Sequence, residues 1–394
     1  MRSSPKSSRG FTLLELMISM AVGLIMIAAA VQLYSSGVDA TWVISQKAEM
    51  QQDLRSTSDM LLKDISLAGA GMPLGQGIAL PSGAGVRPLY GYANGCSNCV
   101  NTNGLQYPCA APTGTCVPTL FGIIPGYQLG ITPPGSTTRS DVITMVYTDT
   151  VFALNCYNIS FPAGGGINPV TFTLPSPLPS SCVLPPNIVT PQPVNDPVVG
   201  LQTGDVVFFQ NTLGSSSGQA VAEVSTVAKT GTNTYTVTFA DSDPLKLNQS
   251  TATSGDLAQI ITGTGTTATR LFVITYYLWL QPDPLGVGTG TPVLMRQVNG
   301  HAPTPVAENV VNMQFTYDTY AADGTLLNNS GDGGESTGVS PNLIRKINVL
   351  HLSIRSQLAG TRSALYATKG FQTYDIQTSI SARNLSYQNR YQLQ

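Results

Sequence analysis

The chain has 394 residues, a formal net charge of −2 at pH 7 and only 10% charged residues. This length allows a sizeable core in one or two domains, whereas the balanced charge excludes both an acidic tail and the basic field of a nucleic-acid-binding protein. Hydrophobic residues make up 42% of the chain, beside 39 glycines and 27 prolines. That composition excludes a disordered chain and favours an exported, loop-rich β protein over a cytosolic enzyme.

The N-terminal segment is built like a membrane helix behind a basic leader. Residues 1–10, MRSSPKSSRG, contain three basic residues and no acid, and residues 11–38 then contain a single charged residue, Glu15. As a helix, residues 11–34 would be about 36 Å long, which exceeds the bilayer core of about 30 Å. Because basic flanks stay in the cytoplasm, we expect one membrane crossing with the body of the protein outside.

Three interpretations of this segment compete. It could be a signal peptide cut near Ala28–Ala30, a plain anchor, or a helix kept after a short leader is cut behind Gly10. The first two leave Glu15 without a role. In the third, cleavage exposes an amine on Phe11, which is a cation at neutral pH (reference pKa about 7.7–8). In a staggered bundle of parallel helices, Glu15 of one subunit can meet that amine of its neighbour, and a wrong stagger leaves the carboxylate buried and unpaired.

The sequence RGFTLLELMISMAVGLI (residues 9–25) resembles the class III signal of type IV pilins and type II secretion pseudopilins. The resemblance implies that a prepilin peptidase cleaves after Gly10, that Phe11 is N-methylated, and that Glu15 is the assembly glutamate. It also implies a location in the bacterial inner membrane with the body in the periplasm, followed by the pilus or cell surface after assembly.

The helix should continue beyond the membrane. Residues 39–68 contain no proline, and one apolar stripe recurs at spacings of three, four and seven residues. This stripe consists of Val43, Met50, Leu54, Leu61, Ile65 and Ala68. The sequence GAGMP at 69–73 then predicts the end of the helix.

The remainder of the chain alternates like β-strands. The candidate strands are 141–147, 205–210, 234–239, 270–280, 293–298, 312–317, 347–354 and 374–384. Gly/Pro/Ser-rich stretches at 73–135, 160–203 and 323–342 predict long loops. The predicted fold is therefore α+β, with a long N-terminal helix packed on an antiparallel β-rich body with large loop insertions. The predicted segments are a leader (1–10), a helix (11–68), a Gly/Pro/Cys-rich insertion (69–203) and a β-rich body (204–394).

All six cysteines precede residue 183; they are Cys96, Cys99, Cys109, Cys116, Cys156 and Cys182. An even number in an exported chain indicates disulfides, although six cysteines allow 15 pairings. Proximity in sequence suggests the pairs Cys96–Cys99, Cys109–Cys116 and Cys156–Cys182. Zinc is the rival for the first four, but the second pair does not repeat the Cys-x2-Cys spacing of the first.

No catalytic motif stands out, and we expect no enzymatic activity. His301 lies in a predicted loop and His351 in a predicted strand, and the sequence has no HExxH, EF-hand or Walker motif. An acidic, Gly-rich stretch could instead bind calcium through Asp318, Asp323, Asp332 and Glu335. Calcium takes several oxygen ligands from flexible loops. The spacing matches no known calcium loop, so a solvated turn is the alternative interpretation.

The C-terminal half resembles PilW-type minor pilins, with SISARNL at 379–385 matching the terminal strand of that subfamily. The resemblance predicts a minor pilin that acts in pilus assembly or initiation. Its expected partners are the prepilin peptidase, the major pilin, other minor pilins and the inner-membrane assembly platform, with no sequence-specific nucleic acid. The alternatives are a tip adhesin or DNA-uptake subunit, and a type II secretion pseudopilin.

Overall fold

The coordinates are a computed structural model. The structure describes residues 11–72, 77–81, 119–162, 169–180, 182–184, 186, 188–211, 218–245, 247–249, 255–257, 260, 265–283, 290–321, 323–331, 341–356, 371–382 and 384–385. The chain divides into two compact units. The first comprises Met1–Gln52 and Arg355–Tyr374, and the second comprises Asp53–Ile354 and Asp375–Gln394.

The predicted helix is confirmed as α1, Leu13–Leu67. As far as Val38, its large apolar side chains are exposed: Leu13 is 79% exposed, Leu24 66% and Tyr34 76%. It is the one helix in the described part of the chain that is long and apolar enough to cross a membrane, and its most apolar stretch is not buried at all. Such a surface is unfavourable in water and favourable in lipid or against other apolar helices.

Within the second unit, α1 becomes a packed amphipathic helix. Leu54, Leu61, Ile65 and Ala68 are 0–1% exposed, and their spacing of seven, four and three residues places them on one face. This confirms the C-terminal part of the predicted stripe. Within this unit the stripe follows the buried face of the helix, because apolar residues recur where side chains leave water.

The body is antiparallel β structure. In chain order, the strands in the described residues are β1 Ile78–Ala79, β2 Thr119–Leu120, β3 Ile123–Gly126, β4 Val142–Thr148, β5 Asn158–Ser160, β6 Val170–Thr173, β7 Val206–Asn211, β8 Gly218–Glu223, β9 Thr226–Lys229, β10 Thr234–Thr238, β11 Thr267–Gln281, β12 Thr291–Val298, β13 Thr304–Glu308, β14 Val310–Tyr320, β15 Leu326–Gly331, β16 Ile344–Arg355 and β17 Thr373–Ser381. The α+β prediction is confirmed.

Each of the eight predicted strands is present, with bounds that differ by a few residues. The prediction of long loops at 73–135, 160–203 and 323–342 is wrong in part. β1, β2 and β3 lie in the first of these stretches, β6 in the second and β15 in the third. These short strands form because longer strands elsewhere pair with them, for example β4 with β3 and β14 with β15.

The largest sheet has the order β13-β12-β11-β4-β3, with the β7–β8 pair also attached to β11. One edge of β11 pairs with β7 through Thr267–Leu271 and then with β4 through Leu271–Tyr276. The predicted segments 69–203 and 204–394 therefore share one sheet, because β4 belongs to the first and β11 to the second.

The β7–β8 pair is buried on both faces. Val206 and Phe208 pack into one apolar cluster, whereas Val207 and Phe209 pack into another together with Phe172 of β6. β6 belongs to a smaller sheet of order β5-β6-β10-β9. Burial on both faces explains why the sequence of β7 is a continuous apolar run rather than an alternating pattern. A third sheet, of order β15-β14-β16-β17, carries the C-terminal strands.

The C-terminal end of α1 is hydrogen-bonded to β4. The Gly69 amide donates to the Val146 carbonyl at 2.8 Å, and the Thr148 amide donates to the Ala70 carbonyl at 2.9 Å. Gly69 has φ +76°, and a Cβ added there would lie 2.4 Å from Cδ2 of Leu385. Glycine is therefore required by both the backbone conformation and the close packing.

We expect Gly69→Ala to lower the free energy of unfolding by about 2 kcal/mol, because a left-handed conformation costs a residue with a Cβ about 1–2 kcal/mol and Leu385 must also move. Urea unfolding of the full-length chain in detergent micelles measures this. Gly37→Ala is the matched control, since a Cβ there has nothing within 4 Å and alanine is the better helix former. Equal stability of Gly69→Ala and wild type would contradict the packing argument.

Candidate functional site

The N-terminal turn of α1 holds Glu15 through a reciprocal pair of bonds with Thr12. The Glu15 amide donates to Oγ1 of Thr12 at 3.3 Å, and the Thr12 amide donates to Oε2 of Glu15 at 3.4 Å. The Thr12 hydroxyl also donates to Oε2 at 3.4 Å. This is a capping box, in which an N-terminal threonine and a glutamate three residues later satisfy each other's backbone amides.

The prediction that Glu15 finds its counter-ion on a neighbouring subunit stays a prediction. The structure adds that Thr12 supplies local neutral donors to the carboxylate. The pattern Thr-x-x-Glu at 12–15 was the sequence signal for it. Neutral donors leave the negative charge itself uncompensated, and their distances lie beyond the 2.7–3.2 Å usual for N–H···O bonds. Glu15 therefore remains available to a cation that approaches from outside the chain.

Glu15 stands within a continuous exposed apolar surface. Phe11 is 80% exposed, Leu14 68% and Met17 61%, and further exposed apolar side chains extend to Val38. A carboxylate on such a surface enters a low-dielectric environment whenever the surface is covered by lipid or protein, where an opposite charge has its strongest effect.

A comparison with known families agrees with this geometry. Residues 5–31 match the prokaryotic N-terminal methylation motif. The methylation motif spans Gly10, Phe11 and Glu15 and supports a type IV pilin-like or pseudopilin-like protein. It implies processing by a prepilin peptidase in a pilus or secretion system, and together with the apolar helix it is consistent with membrane anchoring. No curated protein and no solved structure gives a match.

In the second unit, a buried polar cluster attaches the helix that follows the methylation motif to the body. Oδ2 of Asp64 accepts from the Tyr276 hydroxyl at 2.8 Å and from Nε of Arg296 at 2.8 Å. Asp64 is 4% exposed. Burial, and to a smaller extent the negative charge of Asp64, raises the pKa of the Tyr276 hydroxyl. The same two causes raise the pKa of Tyr147 to about 12. Both phenols therefore stay neutral, and Tyr276 serves as a donor to Asp64. Sequence reasoning did not single out this contact.

A second buried cluster joins β11 to the residues at the ends of β4 and β7. Nε of Arg270 donates to Asp149 at 2.8 Å, and its Nη1 lies 3.4 Å from Asp205. The other oxygen of Asp205 lies 2.9 Å from Nε2 of His301. His301 therefore takes part in a polar network around the buried Asp205.

Two of the six cysteines lie in the described part of the chain. Cys156 and Cys182 form a disulfide, which is the pairing favoured by proximity. Gly10, Cys96, Cys99, Cys109 and Cys116 lie outside the described residues.

The structure describes two of the four predicted calcium ligands, while Asp332 and Glu335 lie outside it. Asp318 is buried and accepts from Asn348 at 3.2 Å, with Nζ of Lys346 at 3.3 Å. Asp323 is exposed and accepts from the Thr325 amide at 2.9 Å, and this bond lowers the pKa of Asp323. Within the described ranges, no three His, Cys, Asp or Glu side chains form a group that could hold a metal ion.

Proposed function

We propose that the chain is a minor pilin of the PilW type, a structural subunit that acts in the assembly or initiation of a type IV pilus. The observation that carries this proposal is the methylation motif at the start of a helix whose apolar side chains are exposed along its membrane-length half. This surface is too apolar for water and needs either lipid or other helices. The role is one of assembly rather than catalysis.

In the proposed mechanism, a prepilin peptidase cuts behind Gly10 and leaves a charged amine on Phe11. When the helix leaves the membrane for the filament, lipid contacts are exchanged for helix contacts, and the apolar surface remains covered. Glu15 then exchanges the weak bonds from Thr12 for a charge-assisted pair with the Phe11 amine of a neighbour. Hydrogen bonds to charged groups contribute about 1.5–3 kcal/mol, and this pairing favours one stagger over the others.

The cleavage step has a direct test. Gly10→Phe should leave the leader attached, because a peptidase that accepts glycine in a tight site has no room for an aromatic side chain. Intact-mass measurement should then show the full-length protein for the variant and a chain that begins at Phe11 for the wild type. A mature wild-type chain that begins elsewhere would refute the cleavage proposal. Gly23→Phe, on the open face of the helix, is the control that should still be processed.

A type II secretion pseudopilin is the second candidate, because the methylation motif supports both classes of filament. Deletion of the gene separates them. Loss of surface pili with intact secretion supports the minor pilin, whereas normal pili with defective secretion supports the pseudopilin. Immunodetection of the subunit in purified filaments completes the experiment.

A further inference from the structure

The sheet β15-β14-β16-β17 contains a group of buried polar atoms that lack hydrogen-bond partners. They are Oγ1 of Thr319, Nδ2 of Asn328, Nε of Arg345 and, at the end of β16, Nε of Arg355, whose guanidinium lies 4.2 Å from the ring centroid of Phe371. Thr319 is fully buried and Arg345 is 7% exposed. More than nine in ten buried polar groups have a partner in the protein or in ordered solvent, so four such atoms in one sheet require an explanation. Three of the four, those of Thr319, Asn328 and Arg345, are neighbours in the strand register.

The strand register brings these residues together. Thr319 of β14 stands opposite Asn328 of β15 on one side and opposite Ile344 of β16 on the other. The preceding residue, Asp318, pairs with Lys346, so the register of β14 against β16 shifts by one residue at this point. Arg345, which lies between Ile344 and Lys346, is the extra residue of a β-bulge. In a bulge, two residues oppose one. Ile344 and Arg345 therefore both lie opposite Thr319, and the three unpartnered atoms belong to one row across three strands.

Arg345 differs from Arg270 and Arg296, which both contact buried acids. Arg270 contacts Asp149 and Asp205, and Arg296 contacts Asp64. The polar contacts of Arg345 are those of Nη1, with the carbonyls of Asn342 at 2.6 Å and Ile344 at 2.7 Å.

Among the residues that the structure describes, no opposite charge offsets the burial of Arg345, and this burial lowers its pKa to about 10. The acid beside it in the register, Asp318, is already paired with Lys346. A buried cation without a counter-ion is among the most costly arrangements in a protein.

We propose that Thr319, Asn328 and Arg345 form a binding site for a carboxylate. Each can donate to a carboxylate oxygen: Arg345 through Nε–H, Asn328 through its amide N–H and Thr319 through its hydroxyl. A carboxylate accepts several hydrogen bonds and supplies the missing negative charge, whereas a water molecule supplies no charge. The site goes beyond the assembly function and does not depend on it, because it lies in the second unit and involves no residue of α1.

The carboxylate has two possible sources, a separate molecule or an acid of this chain. Asp332 and Glu335 follow β15 in the sequence and precede β16, and both lie outside the described residues. The experiment therefore needs an arm in which both acids are neutralised as Asp332→Asn and Glu335→Gln.

The test is thermal unfolding of the full-length protein in detergent micelles, with sodium acetate as the probe and sodium chloride at equal ionic strength as the reference. We expect acetate to raise the unfolding midpoint by about 2–5 °C at an acetate concentration of roughly ten times its dissociation constant. This shift should occur either in the wild type or only in the variant with both acids neutralised. A shift in wild type identifies a free site, and a shift confined to the neutralised variant identifies an acid of the chain as the occupant.

Arg345→Met should abolish the acetate shift, and Thr319→Val should reduce it with little change in shape. The exposed Arg55→Met is the matched control and should keep the full shift. The absence of an acetate-dependent shift in both wild type and the neutralised variant overturns the proposal, as does an undiminished shift in Arg345→Met.

Discussion

Replacing Glu15 with glutamine should lower the amount of this subunit in purified filaments about tenfold or more, while processing and membrane insertion continue. In the proposed mechanism the lost interaction is a charge-assisted pair with the amine of a neighbour. Such a pair contributes about 1.5–3 kcal/mol, and each 1.4 kcal/mol is a factor of ten in an equilibrium. Insertion should persist because glutamine is easier to transfer into lipid than a carboxylate.

Glutamine is the informative replacement because it keeps the local cap. A capping box accepts either Glu or Gln at its third position, so Glu15→Gln retains the bonds to Thr12 and removes only the charge. Glu15→Ala removes both. If assembly depends on the ion pair, the two variants should be equally defective; if it depends only on the helix cap, Glu15→Gln should behave like wild type.

Quantitative immunoblots of filaments and membranes measure the distribution of the subunit. Glu49→Gln is the matched control, because Glu49 is an exposed glutamate of the same helix beyond the apolar segment. We expect it to assemble normally. Normal incorporation of Glu15→Gln and Glu15→Ala would remove the basis of the proposed stagger mechanism.

The second large effect is expected at Asp64. Asp64→Ala leaves the hydroxyl of Tyr276 and the guanidinium of Arg296 without their acceptor, and breaking a buried ion pair costs about 3–5 kcal/mol. Arg296 keeps 23% of its side chain exposed, so water can take over part of the role of Asp64. We therefore expect a loss of about 3 kcal/mol in the free energy of unfolding.

Urea titration of the full-length chain in detergent micelles, followed by the fluorescence of Trp279 in β11, reports this loss. Asp59→Ala, on the exposed side of the same helix, should stay within about 0.5 kcal/mol of wild type. Tyr276→Phe should give an intermediate loss of about 1 kcal/mol, because it removes a single hydrogen bond. A loss below about 1 kcal/mol for Asp64→Ala would mean that apolar packing alone attaches the helix.

Much of the fold was predictable where the signal is local or periodic. The apolar run, the stripe of Leu54, Leu61 and Ile65 and the glycine at position 69 placed α1 within two residues of its observed bounds. The long strands followed from alternation and β-branched residues. β3 could not be predicted, because Pro125 and Gly126 have low strand propensity and form a strand only through pairing with β4.

The candidate site was predicted in part. Gly10, Phe11 and Glu15 carry a short, specific motif, and Thr12 could have been added from its spacing to Glu15. The partners of Asp64 could not be predicted, because Tyr276 follows it by 212 positions and no local pattern links them. The same holds for Arg345, whose position in a bulge depends on the register of β14 against β16.

The sequence by itself determined the apolar N-terminal helix, the basic segment that precedes it and the single acid within it. These properties depend on runs of neighbouring residues and on the low solubility of apolar side chains in water, which hold whatever the rest of the chain does. The tertiary structure alone decided which charges are buried and which partners they have. Within the described residues, Asp64 and Arg270 gained counter-ions and Arg345 did not, because burial and pairing arise only when strands distant in sequence are brought side by side.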